Sequence, residues 1–347
     1  MRVAVVGVGA AGARAARQLA STDEVTEVLV ADTDAARAES VATSLGPMSS
    51  AVRVDAGEVL RRGCDAVVLA GPPGTHGASA RHFLGGGLHV VSTSASIADV
   101  EALLELDHEA IERRRSVVAG AGFSPGLSCV LARHLAGLFD RPLEVHVART
   151  GHGGPACARQ AQAALAGRAV EWRDGAWLER RAGSGRELEW FPDPMGGLDC
   201  YRAAVADPVL LTRTVPGVER VTARISAGAL DRVAARLRVR SGPRLRLRRP
   251  PADGGLGALR IEVRGRQAGA SEVMVYGAID RPAVAAGTCA AVACVWAVSG
   301  RLERFGAGGL GELADPVPVL VELARRGVKA AAFTGAGAAG AGAASRA

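Results

Sequence analysis

Directly after the apolar run Val3–Val6 the chain spells Gly7-Val8-Gly9-Ala10-Ala11-Gly12. Glycines at this spacing, between a strand and a helix, suit a dinucleotide pyrophosphate. Gly7 permits the tight turn, Gly9 lets the backbone approach the phosphates, and Gly12 allows close helix–strand packing. The phosphates then meet free N–H groups of Ala10, Ala11 and their neighbours at a helix N-terminus, where the dipole favours negative charge. Asp32 closes the second apolar run, 20 residues after Gly12. An acid there accepts hydrogen bonds from ribose hydroxyls and repels the extra phosphate of NADP. This tilts the expected cofactor towards NAD. Thr33 follows it, and Arg37 lies close enough to help bind a 2′-phosphate, so NADP stays open. Asp32 could also simply cap the following helix.

Further candidates lie at the ends of later apolar runs. Gly71-Pro72-Pro73-Gly74-Thr75-His76 follows the fourth, and its prolines turn the chain over a sheet edge. His76 either lines the site or caps its helix. The fifth run ends in hydroxyls, Ser92-Thr93-Ser94. His152, in Gly151-His152-Gly153-Gly154-Pro155, is the preferred acid/base, because an imidazole titrates near neutrality. A turn histidine without function is the alternative. Tyr201 is a candidate proton donor and Arg202 a candidate carboxylate clamp, since guanidinium binds carboxylate bidentately; an interface tyrosine beside a surface arginine is the bland alternative. The six cysteines show no CxxC pair and no zinc-ligand spacing, so no metal site is expected.

The elements that must hold these residues alternate through the first third. Strands are expected at Val3–Val6, Val28–Ala31, Ala51–Val54, Ala66–Ala70, His89–Ser92 and Val117–Ala119. Helices are expected at Ala11–Ala20, Ala35–Leu45, Ala56–Arg62, Thr75–Leu84 and Ile97–Arg114. Alternation with near-continuous apolar strands predicts an α/β fold, a doubly wound parallel sheet of Rossmann type. From about Gly122 the pattern changes. Pro125 marks a helix start, running to about Phe139, and Leu143–Ala148 reads as a strand. Asp174-Gly175 between tryptophans signals a hairpin. Leu188–Phe191, Val218–Ile225, Leu259–Val263 and Val273–Ile279 complete a mostly antiparallel sheet in an α+β second domain. The Ala-rich stretch Ala283–Val298 reads as a buried helix, and Pro316–Arg326 as a last helix. The domains follow: 1–124 with about 282–333 for the Rossmann domain, 125–281 for the α+β domain, and 334–347 as a disordered Gly/Ala tail.

Composition narrows the class. The chain has 347 residues with 48% hydrophobic residues, enough for two domains without disulfides. No apolar run reaches the ~18–20 residues that span a bilayer. The start shows no signal-peptide layout, which predicts a cytoplasmic protein with no membrane partner. The net charge of +7 comes almost wholly from arginine, Lys329 being the sole lysine. The densest basic stretch, Arg236–Arg249, alternates with period two, as on a strand with one wet face. Aromatics are only 3%, too few to stack nucleic-acid bases, so no nucleic-acid partner is expected.

Leu103-Leu104-Glu105-Leu106-Asp107-His108-Glu109-Ala110, then Val117-Val118-Ala119-Gly120-Ala121-Gly122-Phe123-Ser124-Pro125-Gly126-Leu127-Ser128, resembles the saccharopine dehydrogenase-like NAD(P)-binding family. The likeness continues through Gly183-Ser184-Gly185, Trp190-Phe191-Pro192-Asp193-Pro194 and the Arg281-Pro282 helix. It implies a Rossmann domain, an inserted α+β substrate domain and C-terminal helices returning to the first domain. It places Gly122 and Phe123, with Ser94, beside the cofactor. It implies hydride transfer at a carbon bearing nitrogen, in a small amine or amino-acid-like carboxylate substrate, and a homodimer through the antiparallel sheet. Relatives often carry an acid at the end of the fifth strand, where this chain has Ser92-Thr93-Ser94. Pro72-Pro73-Gly74-Thr75-His76 also resembles sugar-oxidising dehydrogenases of the glucose–fructose type, but their Glu-Lys-Pro motif is absent. Two alternatives stand beside an oxidoreductase: a lyase or cyclising deaminase using NAD without net redox, and a catalytically silent cofactor-binding sensor or scaffold.

Overall fold

A computed structural model describes residues 1–52, 56–229, 231–235 and 254–333. The arginine stripe at 236–249, the Gly/Ala tail, and the last residues expected in the third strand lie outside the described residues. The first sheet contains β1 (Arg2–Val6), β2 (Glu27–Ala31), β3 (Ser49–Val52), β4 (Ala66–Leu69), β5 (His89–Ser92) and β6 (Ser116–Ala119). All neighbours are parallel, in the order β3-β2-β1-β4-β5-β6, with β15 (Gly306–Gly309) added beyond β6. The order reverses between β1 and β4, and ligands of doubly wound sheets lie outside the strands' carboxyl ends at that point. β1, β2, β4, β5 and β6 are near-continuous runs of buried Val, Ala and Leu, as a sheet covered on both faces requires.

Helices α1 (Ala10–Ala20), α2 (Ala35–Leu45), α3 (Ala56–Arg61) and α4 (His76–Gly85) connect the strands. The single helix expected over 97–114 is two, α5 (Ile97–Leu104) and α6 (Asp107–Glu112), broken at Glu105-Leu106. Leu106 is 3% exposed, so the break turns another leucine into the core. The helix expected from Pro125 is also displaced. The Ser124–Pro125 peptide is cis, Gly126 stands before the first turn at φ +126°, and α7 runs Leu127–Ala136.

The second sheet is mixed rather than purely antiparallel. Its order is β10-β11-β12-β7-β13-β14-β16, with the hairpin β8–β9 attached to β12. These are β7 (Arg141–Thr150), β8 (Arg168–Arg173), β9 (Ala176–Arg181), β10 (Glu187–Phe191), β11 (Gly196–Arg202), β12 (Arg220–Ser226), β13 (Gly257–Gln267), β14 (Ala270–Asp280) and β16 (Ala330–Phe333). Only β12–β7 is parallel. The β8–β9 turn has positive φ at Asp174 and Gly175, the hairpin geometry that this dipeptide favours. Helices α8 (Pro155–Ala164) and α9 (Asp207–Thr214) complete this half. The segment that carries Tyr201 and Arg202 lies in strand β11.

After the second sheet the chain returns to the first. Helix α10 (Pro282–Val298) is buried on nearly every side and packs against α1. A Cβ at Gly287 would lie 2.6 Å from the Ala15 nitrogen, so the small residues of α10 set this close crossing. Then come β15, α11 (Leu310–Leu313) and α12 (Pro316–Arg325). The last described strand, β16, pairs with β14 in the second sheet, not the first. Among the described residues no helix is long and apolar enough to cross a membrane.

His89 opens β5 with its ring buried, and its Nδ1 accepts the Ser116 N–H at 3.1 Å, joining β5 to β6. Burial first, and the Arg115 cation second, push its pKa down to about 4 from 6.5. A histidine depressed in the folded state stabilises the fold above the unfolded pKa of 6.5, and this stability is lost as pH falls towards about 4. Lowering the pH from 7 to 5 should remove about 2 kcal/mol through this one group. Urea unfolding of wild type and His89→Gln at both pH values checks it. The variant's loss between the two should be smaller by that amount; equal losses would contradict the assignment.

Candidate functional site

The turn between β1 and α1 is closed by contact. The Gly7 N–H donates to the Ala31 carbonyl at 2.7 Å, and Gly7 has φ +89°. A Cβ on Gly7 would meet the Gly71 nitrogen at 2.6 Å, and one on Gly12 would sit 1.9 Å from the Gly7 oxygen. Gly9 differs: a Cβ there would meet nothing within 4 Å. Its backbone is extended, and no side chain caps α1. The first-turn amides of Ala10 and Ala11 thus adjoin open space at a positive helix end, which fits a pyrophosphate.

Asp32 follows β2 and is pinned on both oxygens. Oδ2 accepts the Val8 N–H at 2.8 Å and Oδ1 accepts the Asp34 N–H at 2.9 Å. The Thr33 hydroxyl also donates to Oδ1, at 3.4 Å. The cap of α2 is Asp34, whose side chain accepts the Arg37 N–H, and not Asp32. Arg37 spans the two carboxylates, 3.3 Å from Asp32 and 3.0 Å from Asp34. A 2′-phosphate would have to compete with both for this guanidinium, whereas ribose hydroxyls can donate to the fixed carboxylate.

The opposite wall is the loop Gly71–Thr75, where Pro72 and Pro73 are exposed. His76 does not line it. Its ring is 1% exposed, with Nε2 3.1 Å from the Gly71 carbonyl and Nδ1 2.8 Å from the Ser92 hydroxyl. A carbonyl only accepts, so Nε2 carries the hydrogen and Nδ1 accepts from Ser92. Burial, foremost, holds the His76 pKa below its ordinary value. The ring pins the proline loop to the end of β5. Asp99 completes that clamp: its carboxylate accepts from the Gly74 N–H (2.8 Å), the His76 N–H (3.2 Å) and the Ser94 hydroxyl (2.7 Å). Ser96-x-x-Asp99 reads in sequence as a local helix cap. That reading conceals the long-range bonds that the carboxylate makes.

Beyond β6, Gly122 and the buried Phe123 form the next segment of the rim. The Gly122 N–H donates to the Pro125 carbonyl, which closes the cis-proline turn. On either side of Pro125, the Ser124 and Ser128 hydroxyls each donate to Asp207 Oδ1 at 2.7 Å. Asp207 is fully buried at the start of α9, and its Oδ2 has no hydrogen-bond partner among the described residues. Burial raises its pKa, against the two hydroxyls and the Arg149 charge. Arg149, in β7, has no ion pair among the described residues, and its Nε is buried without a partner. Burial lowers its pKa, against Asp207 and Cys157. His152 follows three residues later and is exposed; partial desolvation of its ring and then the Arg149 charge lower its pKa, so the ring is mostly neutral at pH 7.

Tyr201 and Arg202 do not join this group. Neighbours on β11, they point to opposite faces of the sheet. The Tyr201 ring lies 4.1 Å beneath the Arg232 guanidinium, whose N–H also reaches its hydroxyl at 3.2 Å. Arg202 is paired with Glu171 at 2.5 Å. Strand alternation separates two residues that adjacency in the sequence placed together. The missed residues, Asp99, Arg149 and Asp207, lie in no motif; only the fold assembles them.

Residues 1–120 match the model of an oxidoreductase family with an NAD-binding Rossmann fold, that of Gfo/Idh/MocA proteins. Among solved structures, saccharopine dehydrogenase (L-Glu forming) from Saccharomyces cerevisiae is 18% identical, with a TM-score of 0.69 over 96% of this chain and 100% of that one. A probable dehydrogenase from Thermotoga maritima is 14% identical, at a TM-score of 0.51 over 96% and 98%. A myo-inositol dehydrogenase from Corynebacterium glutamicum is 12% identical, at 0.50 over 97% and 99%. At these identities the likeness is one of fold.

Nicotinamide fluorescence on titration should show tighter binding of NADH than of NADPH. Asp32→Ala should weaken NADH binding at least tenfold and narrow the difference between the two. An unchanged NADH affinity would misplace the adenine-side ribose. Taken with the glycine turn and the pinned carboxylate of Asp32, the match over residues 1–120 makes the first domain an NAD-binding Rossmann domain of the kind found in that oxidoreductase family.

Proposed function

We propose that the protein transfers a hydride to or from a carbon–nitrogen centre of a small carboxylate-bearing substrate, with His152 as the acid/base. What supports this is a neutral imidazole, His152, just past the end of β7 and near the fixed positive charge of Arg149. The sole lysine, Lys329, lies by Asp280, and the end of β5 is Ser92-Thr93-Ser94. The lysine acid/base of sugar-oxidising enzymes therefore has no counterpart at this position. The whole-chain likeness in fold to a saccharopine dehydrogenase supports the same choice.

The bound nicotinamide supplies or takes the hydride; the chain does the rest. The glycine turn and Asp32 fix one end of the cofactor, and the His76–Asp99 clamp holds the proline loop against the other. Orientation of this kind is most of what imine chemistry asks of a protein. His152 accepts a proton from the amine in one direction and returns it in the other.

The partner in solution is a second copy. Strands alone line a groove of about 450 Å³ on the outer face of the second sheet, including Glu144, Arg220, Arg224, Arg260 and Glu262. Interleaved arginines and glutamates on one face are self-complementary about a two-fold axis. Light scattering should give twice the chain mass.

NAD+ with a panel of amino acids and amines should yield reduced nicotinamide fluorescence, and His152→Asn should lower kcat about 10²-fold or more. Because the imidazole pKa is lowered, the acid limb of amine oxidation should fall below pH 6.5. Turnover of sugars alone, or an unaltered His152→Asn enzyme, would overturn the assignment.

A further inference from the structure

The pairing of β7 with β13 ends at Thr150 opposite Ala258, and beyond it two glycine segments run on together. One is Gly151-His152-Gly153-Gly154; the other is Gly254-Gly255-Leu256-Gly257, which leads into β13. Their backbones touch. A Cβ on Gly151 would stand 2.5 Å from the Gly257 Cα, and one on Gly257 would stand 2.6 Å from the Thr150 oxygen. Gly254 closes the clasp. Its φ of +74° suits glycine, and a Cβ there would overlap the His152 carbonyl oxygen and lie 2.9 Å from the Gly154 nitrogen. The start of α10 backs the loop from another side: a Cβ on Gly153 would meet the Ala283 Cα and the Cys157 Sγ, each at 3.3 Å. Gly255 takes no part, since a Cβ there meets nothing within 4 Å. The main chain of His152 is therefore gripped by segments remote in sequence, while the residue itself is exposed. A group that passes a proton needs both, a fixed root and an accessible ring.

We propose that Gly254 is a positioning residue for His152, its close backbone contact setting where the imidazole stands during proton transfer. This rests on His152 as the acid/base of the reaction above. A side chain at residue 254 has to push the His152 carbonyl away, and the ring moves with its backbone. Arg149 and Asp231 are the charges that the ring feels, so a displaced loop changes its titration as well as its reach.

The test compares Gly254→Ala with Gly255→Ala in the full chain. Gly254→Ala should lower kcat for amine oxidation about tenfold or more, with KM and NADH affinity near wild type. Gly255→Ala should match wild type throughout. The His152 ring signal, assigned by its loss in His152→Asn, is titrated by NMR without substrate. It should titrate below pH 6.5 in wild type and shift up towards 6.5 in Gly254→Ala, as the ring leaves its partly desolvated place by Arg149. Should Gly254→Ala not fold, Gly153→Ala crowds the same loop more mildly and should shift the same signal in the same direction. A His152 titration identical in wild type and in the folded clasp variants overturns the proposal, and so does a Gly255→Ala protein with the losses expected of Gly254→Ala. If the titration moves and turnover does not, the clasp stands and His152 is not the acid/base.

Discussion

The first βα turn closes so tightly that a single methyl group at Gly12 would overlap the Gly7 carbonyl. This approach sets how close α1 lies to β1, and so where the open helix end above Gly9 points. It also places the Val8 N–H within reach of Asp32, fixing that carboxylate at the end of β2. Helix α10 depends on the same geometry from behind. Gly287 meets α1 at Arg14 and Ala15, so the returning chain braces the helix that opens at the glycine turn.

Three buried carboxylates organise the rim by the same physical device, accepting hydrogen bonds from neutral donors on separate loops, with the Arg37 ion pair added at Asp32. Asp32 takes backbone amides of the glycine turn and of its own loop. Asp99 takes two amides and a hydroxyl, tying the proline loop to the loop after β5. Asp207 takes two hydroxyls across the cis-proline turn. Charged acceptors make short, strong bonds, so each acid stiffens a loop that would otherwise move. The outer face of the second sheet uses charge differently: its acids pair with arginines, as Arg260 does with Glu189 and Glu262.

Much of the first domain was legible in the sequence, because a parallel sheet covered on both sides writes its strands as apolar runs. Six strands, the glycine turn and the position of Asp32 follow from that pattern. The boundaries that failed were set by tertiary contact. Leu106 turns into the core and breaks a helix, and a cis proline with Gly126 delays another. The catalytic side was less legible. Tyr201 and Arg202 are adjacent and polar, but strand pleating sends them to different faces. His76 was open to a role in lining the site or capping its helix, yet its ring is buried as a pin. Arg149 and Asp207 stand 58 residues apart and come within range of each other's charge only through the fold.

The most direct test of the cofactor's placement is Gly9→Val. The backbone there is extended, and an added Cβ meets nothing within 4 Å, so the variant should fold and melt like wild type. Its β-branched side chain would occupy the space assigned to the pyrophosphate. Titration with NADH, followed by nicotinamide fluorescence, should show affinity falling by two orders of magnitude or more, about 3 kcal/mol. A Gly9→Val protein that binds NADH as wild type does would place the dinucleotide elsewhere and contradict the site as described.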